Sequence, residues 1–437
     1  MIILNKCWSL IFVCCFLFAC AASHINNSEV STTANRSTIP CYPLENEKDL
    51  DVLLKEIGDA RVVLLGESTH GTAEYYQWRA AITKKLIQEK GFDFIAVEGD
   101  WTDSYRINQF IKGPKQDSNS AVEVLKQYDR WPQSMWSNYE MASLVKWLND
   151  YNQDKEVNHK VGFYGLDVYS FWEWTGQKLN VEDSSILTAA KQLKEKFSSF
   201  NNDALKYADA VRKSKIDYHE TAEHVWKNIQ NFSSRLPDDE SKFVLQQQAL
   251  LTLQGERYFR TMVSNRMQSW NIRDRYMAET IKRLLQFRGR NSKAIIWVHN
   301  GHAGDAHYSN MGDLGYTSVG EILRQELGHN KIFSTAFGTN KGTVMAGYSW
   351  DALLQKQVVL PAKTGSWENM LHEISAENKL VLSKDIKNNP SLNKWIEFRS
   401  IGAAYPGAAV YGRSVIPQRF DAFLFLDTTT ALHPIKN

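Results

Sequence analysis

Six side chains able to carry acid–base chemistry stand where short apolar runs of this sequence end. Glu67 and His70 follow Val62–Leu65, Glu98 follows Phe92–Val97, Asp167 follows Val161–Leu166, and His299 and His302 follow Ala294–Val298. A histidine can take a proton from water, a carboxylate can orient that histidine, and an arginine or second histidine can meet the charge that develops on a carbonyl oxygen. Hydrolysis by an activated water therefore needs only the residue types present. Arg79 adds a cation to the set. Tyr75, Arg79, Ile82 and Leu86 recur at i, i+4, i+7 and i+11, which puts the guanidinium on an apolar helix stripe, where it needs a carboxylate partner. The plainer reading has Glu67 and Ser68 as helix caps, His70 as a surface residue, and Arg79 reaching out to solvent along its stem.

Two other chemistries draw on the same positions. Glu67-x-x-His70 and His299-x-x-His302 have spacings that can chelate a metal, although Arg79 among such ligands would repel a cation. Gly66-Glu-Ser68-Thr-His70 partly imitates a nucleophile elbow, with His70 where the second glycine of G-x-S-x-G belongs. Ser68 reads better as a cap or turn residue than as a nucleophile.

The elements that must hold these residues follow from the pattern around them. Val62–Leu65 breaks at Gly66 and gives way to helical spacing that runs to Lys90 and stops at Gly91, which predicts strand, tight turn and helix. The same order recurs at Phe92–Val97, Val161–Leu166 and Ala294–Val298. A fifth strand is expected at Ile332–Phe337, ending at Gly338, after a helix from Gly315 to Leu327, and a late one at Phe423–Leu426. Alternating strands and helices predict an α/β fold: a three-layer core with a mainly parallel sheet flanked by helices. In such a sheet the groups just past the carboxyl ends of strands share one crevice. Segment 103–155 is helical and aromatic-rich, with Trp131, Trp136 and Trp147. A long polar helical stretch, about 184–290, reads as an insertion capping the active-site edge, and its charged run Arg235–Lys242 as a solvated face.

Composition sets bounds on the whole chain. Its 437 residues are 43% apolar and 12% aromatic, ample for a substantial core, and a formal charge of +2 without a long basic run argues against a nucleic-acid partner. Lys6 followed by the apolar run Trp8–Ala19, too short to span a membrane, reads as a secretory signal peptide over residues 1–20. Leu17-Phe-Ala-Cys20 resembles a lipobox with Cys20 as the lipidated residue. Phe18 departs from that pattern and leaves ordinary cleavage near Ala21–Ser23 open. Export to the periplasm or a membrane-anchored lipoprotein is the expectation, with the membrane met only through this anchor. Of five cysteines only Cys41 lies beyond the leader, so no internal disulfide is available to the mature body. Residues 21–43 read as a flexible tether, and 44–437 as the folded domain.

Several motifs taken together carry a resemblance. Gly66-Glu67-Ser68-Thr69-His70-Gly71, Arg79, Glu98-Gly99-Asp100-Trp101, Arg273-Asp274 with Met277, Trp297-Val-His299-Asn-Gly-His302 and Arg419-Phe420-Asp421-Ala422 resemble the erythromycin esterase family over most of the mature chain. The resemblance implies opening of the macrolactone ester of 14-membered macrolides, hence macrolide resistance, without a metal or other cofactor. It implies Glu67, His70, Arg79, Glu98, His299 and His302 as the active-site set. Asp100, Trp101 and Asp167, at the ends of neighbouring strands, are candidates for contact with the substrate. The resemblance does not separate His70 from His299 as the base. Glu67 lies near His70 in sequence and could orient its ring, so His70 is the working assignment, with His299 and His302 placing water or oxyanion.

Overall fold

Alternate residues of each apolar run face opposite sides of one sheet, and helices cover both sides. The protein is represented by a computed structural model that describes residues 39–435 apart from 129–131, 173–187, 189–190, 192–194, 201–202, 214–215, 350–351 and 406–409. The expected leader with Cys20, most of the tether, and Trp131 lie outside the described residues.

The strands are β1 (Tyr42–Pro43), β2 (Val62–Leu65), β3 (Phe94–Asp100), β4 (Gly162–Asp167), β5 (Ala294–Trp297), β6 (Ile332–Ala346), β7 (Gln355–Val359), β8 (Lys379–Leu382), β9 (Ile396–Arg399), β10 (Tyr411–Ser414) and β11 (Ala422–Thr429). Nine of them form the main sheet in the order β1-β8-β11-β6-β2-β5-β3-β4, with β7 also paired to β6, while β9 and β10 pair separately. From β11 to β4 every neighbour is parallel; β8, β1 and β7 are antiparallel additions. The expected mainly parallel three-layer core is the observed one.

Helices of eight residues or more among the described residues are α1 (Leu50–Ile57), α2 (Ala73–Lys90), α3 (Trp101–Lys112), α4 (Ser118–Leu125), α5 (Tyr139–Tyr151), α6 (Ala204–Arg212), α7 (His219–Ser233), α8 (Glu240–Met262), α9 (Arg266–Phe287), α10 (Val319–Leu327) and α11 (Trp367–Ile374). Val63, Leu65, Ile95, Val97 and Ile295 pack with α1, α2 and α5. Val62, Leu64, Phe94, Ala96 and Ile296 pack with α8, α9, α10 and α11 on the other side. That split is the period-two alternation of a strand buried on both faces. Helices α6 to α9 stand between β4 and β5, within the stretch expected as an insertion, and α9 closes the crossover back to the sheet.

The structure corrects several boundaries. Strand β6 runs well past Gly338, because that glycine is a place of close approach and not a strand end: a Cβ there would come within 2.5 Å of the Phe423 ring. The helix expected from Gly315 begins at Val319, where the Ser318 side chain caps the Glu321 N–H. Tyr42 and Pro43, assigned to the tether, pair with Leu380 and Lys379 at the sheet edge. Glu98, Gly99 and Asp100 belong to β3 itself. A register shift between Val97 and Asp100 sets Asp100 opposite Asp167, a bulge of the sort that re-aims side chains beside sites.

Candidate active site

The turn from β2 into α2 is fixed by two glycines. A Cβ on Gly66 would overlap the Asn300 side chain and lie 2.7 Å from the Thr335 carbonyl, and one on Gly71 would overlap the Met345 carbonyl. Between them Glu67 is wholly buried and doubly held: Oε1 lies 2.8 Å from His70 Nδ1, and Oε2 accepts from Arg79 Nη2 at 2.6 Å. Arg79 is fully buried on α2 with its guanidinium 4.5 Å from both the Tyr76 and Trp297 rings, so it does not reach solvent. A carboxylate paired with a guanidinium is an acceptor, so the His70 proton resides on Nδ1 and leaves a lone pair on Nε2. At 13% His70 is the most open of the group.

The carboxyl ends of β3 and β4 and the start of α9 build the facing wall. Arg273 grips Asp167 with two bonds, Nε to Oδ1 at 2.8 Å and Nη2 to Oδ2 at 2.6 Å, and also donates from Nη2 to Glu98 Oε1 at 2.9 Å. Glu98 Oε2 accepts the main-chain N–H of His299 at 2.8 Å. Burial works against a charge on Glu98, but His302 and Arg273 outweigh it and hold the carboxyl well below the usual range. His302 Nδ1 lies 2.9 Å from Asp274 Oδ2, which also accepts the Val319 N–H at 3.0 Å, while the Trp270 ring stacks on the imidazole at 4.4 Å. Its Nε2 is 3.0 Å from Arg273 Nη1 and 3.3 Å from Glu98 Oε1. The neutral ring accepts from the guanidinium there, and the imidazolium donates to the carboxylate. Burial opposes the charge, yet Asp274 and Glu98 prevail and push His302 up to about 9.

His299 is held differently. The Gly301 N–H donates to its Nδ1 at 3.1 Å, so the proton of the neutral ring sits on Nε2, which makes no hydrogen bond of good geometry. Burial, reinforced by His70 nearby, pushes this histidine down to about 3, and the His70 and His299 rings lie 5.2 Å apart. Asn300 anchors the turn between His299 and His302. Its N–H donates to the Glu67 carbonyl at 2.8 Å and its side-chain amide to the Phe337 carbonyl at 2.8 Å.

Glu67, His70, Glu98, Asp167, His299 and His302 thus meet at the carboxyl edge of the sheet, and other sequence expectations need revision. Arg79 is walled in behind Glu67, so it orients that carboxylate and has no path to an oxyanion. Trp101 is fully buried, stacked on Tyr105 and Tyr164, so its ring packs the core and offers a substrate no surface. Asp167 spends both oxygens on Arg273. Asp100 is buried beside Asp167 and is likewise not an open contact surface. The Ser68 hydroxyl is buried and lies 2.7 Å from the Tyr75 hydroxyl, so its partner is a phenol and not a histidine base. Arg273 and Asp274 are the residues that reasoning from spacing left without a role. Their signal was membership of the Arg273-Asp274 motif in the family resemblance, which named no role for them, and the partners of both come from other elements.

The erythromycin esterase family model matches residues 87–429. The erythromycin esterase type II of Escherichia coli is 23% identical over 318 residues, 66% of this chain and 71% of that one. A solved succinoglycan biosynthesis protein superposes with a TM-score of 0.72 at 20% identity, covering 90% of this chain and 95% of the other. An erythromycin esterase mutant, EreC, in its open conformation superposes with a TM-score of 0.66 at 16% identity, covering 90% and 98%. At those identities the two structures speak for the fold.

Proposed function

Because the chain belongs to the erythromycin esterase family, a hydrolase family, we propose that it opens the macrolactone ester of 14-membered macrolide antibiotics such as erythromycin by histidine-activated water, and so gives macrolide resistance. The observation that carries this reading is the Glu67–His70 pair: the carboxylate holds Nδ1 at 2.8 Å and leaves Nε2 free on the most open ring of the site. His70 Nε2 takes a proton from water while the water oxygen bonds to the lactone carbonyl carbon. The carbonyl π pair moves onto oxygen, and the unpaired His299 Nε2–H meets the charge. A neutral imidazole is suited to that task, since it polarises without first having to be charged. Asp100, Trp101 and Asp167 have no part in substrate contact here.

No metal or other cofactor enters this reading. Glu67 is engaged by Arg79 and His70, and Glu98 by Arg273, His302 and the His299 N–H, so a cation would have to displace built ion pairs. On its leader sequence the enzyme acts outside the cytoplasm, released or held by a lipid on Cys20.

The test is mass spectrometry of erythromycin incubated with the mature protein in chelator, beside a His70→Ala variant. Gain of one water by the wild type alone is the expected result. Intact erythromycin together with cleavage of simple esters would keep the hydrolase and remove the macrolide.

A further inference from the structure

The hydrolysis described above needs a second proton movement, because the leaving oxygen must be protonated as the carbon–oxygen bond breaks. An alkoxide is too basic to depart unaided at neutral pH. His70 holds a proton on Nε2 only after taking it from the attacking water, and His299 is kept neutral. Neither holds an acidic proton when the substrate arrives.

His302 is built differently from both. Its Nδ1 is held by Asp274 at 2.9 Å, and its Nε2 has a partner in either protonation state: Arg273 Nη1 at 3.0 Å accommodates the lone pair, and Glu98 Oε1 at 3.3 Å accommodates the proton. A ring with partners for both states can give up and regain a proton without stranding a buried polar group. The Nε2 atom also lies near that of the base. Glu98 Oε1 is the atom on which His302 Nε2 and, at 4.0 Å, His70 Nε2 converge, so both rings present Nε2 to the same carboxylate oxygen. Asp274 and His302 thus repeat, on α9 and the β5 turn, the carboxylate–histidine unit that Glu67 and His70 make in the turn between β2 and α2.

Resting on the hydrolase reading, we propose that His302 is the general acid of the site, giving its Nε2 proton to the leaving oxygen, and that Asp274 and Arg273 are positioning residues that let this ring carry and surrender that proton. When the tetrahedral intermediate collapses, the oxyanion pair re-forms the carbonyl and the carbon–oxygen bond breaks with its pair on the leaving oxygen. That oxygen takes the His302 proton. His70 then loses through solvent the proton it took from water, His302 regains one, and the net change is one water consumed. The charged groups that face His302 are Asp274 and Arg273 from α9 and Glu98 from β3, with His299 beside it on the same turn. Against burial, Asp274 and Glu98 push it up to about 9, so the acid stays loaded at neutral pH.

The test compares two esters of one acyl group, an alkyl ester and a p-nitrophenyl ester whose leaving group needs no proton. With wild-type enzyme, kcat for the alkyl ester falls as pH rises through about 9, and kcat for the aryl ester does not. Asp274→Asn keeps an acceptor for the Val319 N–H but removes the charge. It lowers alkyl-ester kcat at least tenfold more than aryl-ester kcat, with KM little changed, and Asp274→Glu restores part of the difference. Equal losses on both esters, or matching alkaline limbs in the wild type, would overturn the proposal even if the variants fold poorly. A readout free of substrate separates it from the hydrolase reading. In histidine-labelled NMR, one imidazole missing from His302→Gln remains protonated well above neutrality and loses that property in Asp274→Asn; a His302 that titrates as an ordinary histidine refutes the proposal whatever the enzyme cleaves.

Discussion

Two histidines whose rings are 5.2 Å apart carry their protons on opposite nitrogens. A carboxylate acceptor at Nδ1 of His70 leaves Nε2 as a base, and a main-chain donor at Nδ1 of His299 leaves Nε2–H as a donor. Replacing His70 with Gln is expected to lower kcat by about 10²–10⁴-fold. Replacing His299 with Ala is expected to cost about 10²–10³-fold in kcat, the range for removing one oxyanion donor, and to leave the shape of the kcat/KM pH profile near neutrality unchanged. The sign follows from His299 being pushed down to about 3: it is neutral across the working range and has no proton to lose there. A profile that changed shape near neutrality without His299 would overturn its assignment.

At the scale of elements, α2 exists to keep Glu67 in place. Arg79 lies between Tyr76 and Trp297 and has the Glu67 carboxylate as its charge partner, so Arg79→Met fills the space but strands a buried carboxylate. The expected loss is about 3–5 kcal/mol, the usual cost of removing one partner of a buried pair, read by urea denaturation. Arg79→Lys does not restore activity, because an ammonium lacks the flat face that two rings enclose. Its place on the stripe was legible from the spacing alone. Its role was not, since the oxyanion and Glu67 are indistinguishable partners for a buried guanidinium until the direction of the side chain is known. Asn300 clamps the β5 turn to β6, and Asn300→Ala is expected to cost about 1–3 kcal/mol by leaving the Phe337 carbonyl unsatisfied. A variant as stable as wild type would show that the clamp is dispensable.

Across the whole molecule the site is an ionic network inside a protein interior, and its pH dependence belongs to folding as much as to catalysis. Glu98 is held below its usual range, so its contribution is present above the unfolded carboxyl value of about 4.3 and is lost as pH falls through the depressed folded value. His302 is raised to about 9, so its contribution is complete below the unfolded imidazole value of about 6.5 and is lost as pH rises through the folded one. Unfolding free energy should therefore fall between about pH 6.5 and 9, and a flat denaturation profile over that interval would contradict the assignment. The sequence by itself determined the layers, the parallel core and the six groups at strand ends, because apolar runs and helical spacing are local signals and parallel strands put their carboxyl ends on one edge. It also placed a cation on a buried stripe. Only the tertiary structure decided that Arg79 faces Glu67, that Trp101 packs the core, that Gly338 continues a strand, and that Arg273 and Asp274 stand behind Glu98 and His302. Each of those turns on a partner far away in the chain, and spacing within one element carries no record of it.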